Sequence, residues 1–135
     1  METQDLKNLM NEWSGGSDGR TRHMFNRRFI MTEGVMAVAQ AAGCFWLLDI
    51  IATEVAPICM NEWEKNSNGM TFFRVASDGE KAILYLEEDE GEPPLWERKI
   101  AYTDFPAGTW TFYLAIDGIL QPGSFVLVML LPQEY

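Results

Sequence analysis

The sequence predicts an α+β fold, with N-terminal helices packed on one face of an antiparallel sheet of about five strands. Two observations carry this. Apolar residues recur at three- and four-residue spacing up to about residue 55, and from about residue 70 the period changes to two. Neither a linker nor an internal repeat interrupts the 135 residues, so residues 1–135 read as one domain.

The first helix is expected over residues 3–13, capped by Thr3, with Leu6, Leu9, Met10 and Trp13 forming its apolar stripe. Ser14 to Gly19 is loop-forming. Residues 20–31 then carry Arg20, Arg22, Arg27, Arg28 and the sole histidine, His23, and read as irregular chain or a short strand. Those arginines are expected to neutralise the acidic excess within the fold, and His23 to lie on the surface. Thr32 is an N-cap candidate for a helix reaching about Ala42, Gly43 its stop, and Cys44 to about Val55 a central helix, apolar nearly all round, that ends at Pro57.

Residues 70–87 read as a hairpin turning at Ser77-Asp78-Gly79-Glu80. Glu87-Glu88-Asp89-Glu90-Gly91-Glu92-Pro93-Pro94 is expected as an exposed acidic loop. Strands follow over Leu95–Thr103 and Trp110–Ile116, with a turn bounded by Asp117-Gly118 and Pro122-Gly123. The unbroken apolar run 125–131 reads as a strand covered on both faces. Trp96, Tyr102, Trp110 and Tyr113 are expected to pack on one sheet face.

The net charge is −10, from 20 acidic and 10 basic residues, which disfavours phosphate backbones and favours basic partners. One histidine and two separated cysteines, Cys44 and Cys59, are too few nitrogen and sulfur ligands for a structural zinc site, and no cofactor motif is present. The cysteines read as buried free thiols. The stretch Val35–Ile51 is shorter than a spanning helix. The N-terminus does not resemble a signal peptide, so a cytoplasmic protein is expected.

Thr32-Glu33-Gly34-Val35, Phe45-Trp46-Leu47-Leu48-Asp49, Tyr102-Thr103-Asp104-Phe105-Pro106 and the terminal Leu130-Leu131-Pro132-Gln133-Glu134-Tyr135 occur in that order. From about residue 20 onward the chain resembles a family of small proteins of unknown function found in bacterial genomes, phages, plasmids and integrated elements. Gln133 stands where that pattern usually has Ser. The resemblance implies a mobile-element setting and no particular activity.

Charge and setting together suggest a non-enzymatic acidic protein that binds a basic protein, such as a nucleic-acid-binding host defence component, through Glu87, Glu88, Asp89, Glu90 and Glu92. The alternative is a small ligand-binding or hydrolytic domain using Asp104, Glu134, His23, Arg27 and Arg28 as an acid–base or anion site. As architecture, Pro132 is expected to end the last strand's ladder and Glu134 and Tyr135 to be pinned at the rim beside the 102–106 turn. A homodimer closing on a strand edge or aromatic face is a third expectation.

Overall fold

The computed structural model describes residues 1–16, 19–89, 91–118 and 125–135. The turn expected between Asp117 and Gly123 lies largely outside the described residues, as do Ser17, Asp18 and Glu90. The fold is α+β. Helix α1 (Thr3–Asn11) precedes strands β1 (Arg20–Arg22) and β2 (Phe29–Thr32) and helix α2 (Glu33–Ala42). Helix α3 (Phe45–Ile50), a π turn (Ile51–Val55) and helix α4 (Ala56–Asn66) follow one another without a break. Strands β3 (Met70–Ser77), β4 (Ala82–Glu87), β5 (Trp96–Ile100), β6 (Gly108–Asp117) and β7 (Val126–Leu130) complete the chain with a 3₁₀ turn at Pro132–Glu134.

The sheet has seven strands in the order β1-β2-β7-β6-β3-β4-β5. It is mixed: β2 runs parallel to β7, while every other pairing is antiparallel. The extra strands come from the Arg-rich segment. Three- and four-residue strands are too short for a period-two signal, and they form because β7 offers β2 a backbone ladder.

The buried set takes one face of each long strand. Thr71, Phe73 and Val75 of β3 are buried with Trp110, Phe112 and Leu114 of β6 and Leu127 and Met129 of β7. They join Val35, Val38, Leu47, Leu48, Ile51 and Val55 of the helices in one core cluster. On the opposite face Met70, Phe72, Arg74, Tyr113, Val128 and Leu130 remain half-buried, so β7 is covered more on one side than the other. There Tyr135 meets Tyr113 edge-on at 5.5 Å and Tyr113 meets Phe72 at 5.3 Å. The Arg74 guanidinium lies 6.0 Å over the Phe72 ring and donates to Glu87 at 2.6 Å and to Thr111 at 3.0 Å.

Three local expectations change. Glu2, not Thr3, is the N-cap of α1, its N–H donating to Asp5 Oδ2 at 3.3 Å; the Thr3 hydroxyl donates instead to the Ala107 carbonyl at 2.8 Å. Pro57 does not end the central helix. The π turn returns the Ala56 N–H to the Ile51 carbonyl, five residues back, so the helix shifts register just before the proline and continues to Asn66. The four aromatic residues do not share a face. Trp110 and Tyr113 are three apart on one strand and point to opposite sides, and Tyr102 lies off the sheet. No helix among the described residues is long and apolar enough to cross a membrane.

Candidate functional site

Two polar-aromatic islands of the sequence, Tyr102–Pro106 and the terminal Leu130–Tyr135, separate by role. The terminal island belongs to α2. The Thr32 side chain caps that helix by accepting from the Val35 N–H at 3.3 Å, and the Thr32 hydroxyl donates to Glu134 Oε1 at 2.6 Å. The same carboxylate accepts from the Leu131 N–H at 2.9 Å and, more weakly, from the Gly34 N–H at 3.4 Å. A negative group here complements the positive end of the helix. Gly34 leaves room for this carboxylate: a β-carbon at that position would lie 2.7 Å from the Glu134 carboxyl carbon and push it off its hydrogen bonds. Thr32-Glu33-Gly34-Val35 and the terminal Glu134 thus form one helix cap.

The island at 102–106 lies at the other end of α2. Gly43 ends the helix in the left-handed region, at φ 64°, and a β-carbon there would approach Asp104 Oδ2 to 3.6 Å. Nine residues of helix separate Gly34 from Gly43, roughly 14 Å. Glu134 therefore does not sit beside the 102–106 turn, and Asp104 and Glu134 share no reaction centre.

Within this island Thr103 makes the turn, its hydroxyl accepting from the Phe105 N–H at 3.1 Å. The Thr103 N–H donates to the Glu80 carbonyl at 2.9 Å, Ser77 Oγ to the Phe105 carbonyl at 2.9 Å, and Trp110 Nε1 to the Pro106 carbonyl at 2.8 Å. Phe105 and Pro106 are buried. Tyr102, in contrast, is 87% exposed and Asp104 is exposed. They line a notch of about 670 Å³ with Glu80 and Lys81. An adjoining concavity of about 680 Å³ shares Lys81 and Ala101, is walled by Ala76, Ala82, Ile83 and Ile100, and carries Asp78 and Lys99. The β3–β4 turn beside it is held by Asp78, which accepts from the Lys81 N–H at 2.7 Å and the Glu80 N–H at 2.8 Å. Those hydrogen bonds, first that from Lys81, hold the Asp78 carboxyl below its ordinary value.

His23 is buried, at 5% exposure, contrary to the surface position expected for it. Its Nδ1 accepts from the Phe25 and Asn26 N–H groups at 3.1 and 3.2 Å, which leaves Nε2 as the protonated nitrogen, donating to Asp49 at 2.8 Å. The imidazole is a loop scaffold, and both its nitrogens are occupied. Asn26 Nδ2 adds a bond to the Ala52 carbonyl at 2.9 Å. Arg22, Arg27 and Arg28 do not take the carboxylate partners expected of them. Arg22 donates to the Arg27 carbonyl at 2.7 Å and Arg28 to the Phe125 carbonyl at 2.9 Å, and among the described residues neither Arg22, Arg27 nor Arg28 pairs with a carboxylate.

In the acidic loop, Glu87 is drawn back into the sheet by Arg74 and is buried, because it is the last residue of β4; Glu88, Asp89 and Glu92 are exposed. Glu90 lies outside the described residues. Cys44 and Cys59 are buried free thiols; burial pushes Cys44 up to about 12 and Cys59 up to about 11. No group of three or more metal-ligating side chains occurs among the described residues.

Sequence reasoning singled out Tyr102 and Asp104 but missed Glu80 and Lys81, which come from the turn of a different hairpin. It also missed Asp49, which an otherwise apolar helix exposes toward His23. The chain is significantly similar to no curated protein and to no solved structure. A family's sequence model matches residues 4–135, nearly the whole length, and the chain therefore belongs to that family of unknown function, DUF6876.

Proposed function

We propose that this chain is a non-catalytic binding protein that engages a basic protein partner through the notch at the β3–β4 turn. Tyr102 carries the reading. A tyrosine 87% exposed on a backbone held at its neighbours Thr103 and Phe105 is an aromatic anchor on a fixed mount, which lowers the cost of ordering the chain on binding. Glu80 and Asp104 outnumber Lys81 on its rim, a balance that suits a cationic surface. Glu88, Asp89 and Glu92, at the far end of β4, extend the negative field without lining the notch. A partner whose own work is binding phosphate presents such a cationic surface, and the mobile-element setting implied by the sequence motifs suits a host nucleic-acid-binding protein.

The acid–base alternative has less support. Asp104 and Glu134 lie at opposite ends of α2, and both nitrogens of His23 are committed to its own loop and to Asp49.

The immobilised chain should capture a basic protein from bacterial lysate, and a polyanion such as heparin should compete. The exposed double substitution Tyr102→Ala/Asp104→Asn should weaken capture at least about 30-fold, the scale of losing an aromatic hot spot, with the melting temperature unchanged. Equal capture by the folded variant, or indifference to the polyanion, overturns the proposal.

A further inference from the structure

The helices pack on one face of the sheet and leave the other open. Ile30, Met70, Phe72, Tyr113, Val128 and Leu130 take no part in the core cluster, and they are half-buried beside one another. Register puts Met70, Ala115, Val128 and Ile30 in one row across four strands, and Phe72, Tyr113 and Leu130 in the next. Tyr135, 81% exposed, stands on Tyr113, and Ile83, on the same face of β4, is 40% exposed. The charges of this face balance. Register assigns it Arg22, Arg74 and Lys99, and Glu87, Glu97 and Asp117. The net charge of −10 therefore lies off this face altogether.

Two corners at one end of the sheet carry opposite charge. Arg22 shares the row of Ile30 and Met70, and Arg27 and Arg28 sit on the loop just beyond it. Among the described residues Arg22, Arg27 and Arg28 pair with no carboxylate. Phe72 aligns with Glu87, so the exposed Glu88, Asp89 and Glu92 continue toward that same end from β4, on the other side of the sheet's midline. The strands hold about 40 residues, each covering roughly 16 Å² of sheet, about 650 Å² in all. Two such faces bury about 1,300 Å², inside the range of roughly 1,200–2,000 Å² that a specific, stable interface needs.

We propose that two copies pack open face to open face about a two-fold axis lying along β6, the middle strand of the seven. Face-to-face sheets keep their strands roughly aligned, and this axis lays β7 over β3, β2 over β4 and β1 over β5 of the other copy. Each arginine corner then covers the acidic loop of the other copy, twice per dimer. An axis across the strands would carry corner and loop to opposite ends, so charge selects the first axis. The surplus negative charge does not forbid the contact. At about 0.15 M ionic strength the Debye length is about 8 Å, less than the roughly 10 Å between packed sheets, so charge behind each face is screened while touching pairs are not. The Tyr102 notches lie at the other end of the strands, both at one end of the dimer, and stay free for the partner proposed above.

Sedimentation velocity on the full chain at about 0.15 M salt should give twice the 15.4 kDa chain mass, with a Kd in the micromolar range or below. Ala115 lies on the axis, at a half-buried position of the open face. Ala115→Glu brings two carboxylates together there and should weaken the dimer at least about 30-fold. Arg27→Glu/Arg28→Glu and Glu88→Lys/Asp89→Lys, all at exposed positions, should each weaken it at least about tenfold with the circular dichroism spectrum unchanged. An equimolar mixture of those two variants should restore one-to-one dimers, because every corner then meets a loop of opposite charge. A wild type still monomeric at about 100 μM, a Kd unmoved by Ala115→Glu, or a mixture that stays monomeric overturns the proposal. So does a monomeric wild type whose capture of a basic protein is abolished by Ala115→Glu, which would assign the open face to that partner. A dimer that captures no basic protein supports this inference and overturns only the function proposed above.

Discussion

Glu134 and Gly34 act as one unit although 100 positions separate them. Replacing Glu134 by Ala leaves the buried Thr32 hydroxyl and the Leu131 amide without their acceptor, at a cost of about 1–3 kcal/mol. Gly34→Ala should cost a similar amount in the wild type, because its β-carbon would displace the carboxylate. With Glu134 already truncated that obstacle is gone, and alanine is favoured over glycine inside a helix by about 1 kcal/mol. Gly34→Ala should therefore turn from destabilising to neutral or stabilising in the Glu134→Ala background, read by denaturant unfolding as a coupling between the two sites. Additive effects would show that the carboxylate does not support the helix start. Only half of this pair was legible in the sequence. Thr32 and Glu33 advertise a helix start locally, but nothing near Gly34 names the side chain that excludes a β-carbon there.

The elements read most clearly where one face is buried and least where a tertiary partner decides. The β3–β4 hairpin follows from alternation and its Ser-Asp-Gly turn, and it forms where expected. Strands β1 and β2 show in the sequence only as a short-strand alternative to irregular chain, because their ladder partner arrives with β7, about a hundred residues later. The central helix reads as stopping at Pro57 because a missing N–H ordinarily ends a helix; the π turn before it changes the outcome. The loop between β1 and β2 shows the same dependence, since its shape rests on a buried histidine that composition alone placed on the surface. His23→Ala should cost about 1–2 kcal/mol, because the Phe25 and Asn26 amides lose an acceptor that is itself buried, while exposed Asp49 is rehydrated. The more telling readout is local: amide hydrogen exchange at Phe25 and Asn26 should accelerate well beyond the global loss of stability. Exchange that rises only in step with the global change would mean the loop is held by its other contacts.

For the molecule as a whole, the two ends of the sequence meet at α2. The last strand lies third in the sheet, between a parallel neighbour and an antiparallel one, so residues after it emerge in the body of the fold. Pro132 leads into a 3₁₀ turn that swings Glu134 back to the start of α2 and sets Tyr135 against Tyr113. The notch lies at the other end of α2, separated from this cap by the length of that helix. Stability and binding are therefore predicted to come apart. Removing Pro132–Tyr135 takes away the acceptor for Thr32 and the Tyr113 contact, about 2–4 kcal/mol from one charged acceptor and one aromatic pair. In a domain of this size that should lower the melting temperature by roughly 5–12 °C. The Tyr102 notch keeps every hydrogen bond that holds it, because those come from Ser77, Glu80, Thr103 and Trp110. Capture of a basic partner, measured per folded molecule well below the new melting temperature, should be unchanged. A truncated protein that melts normally but no longer binds would instead place the partner on the terminal island and reverse the division of roles between the two motifs.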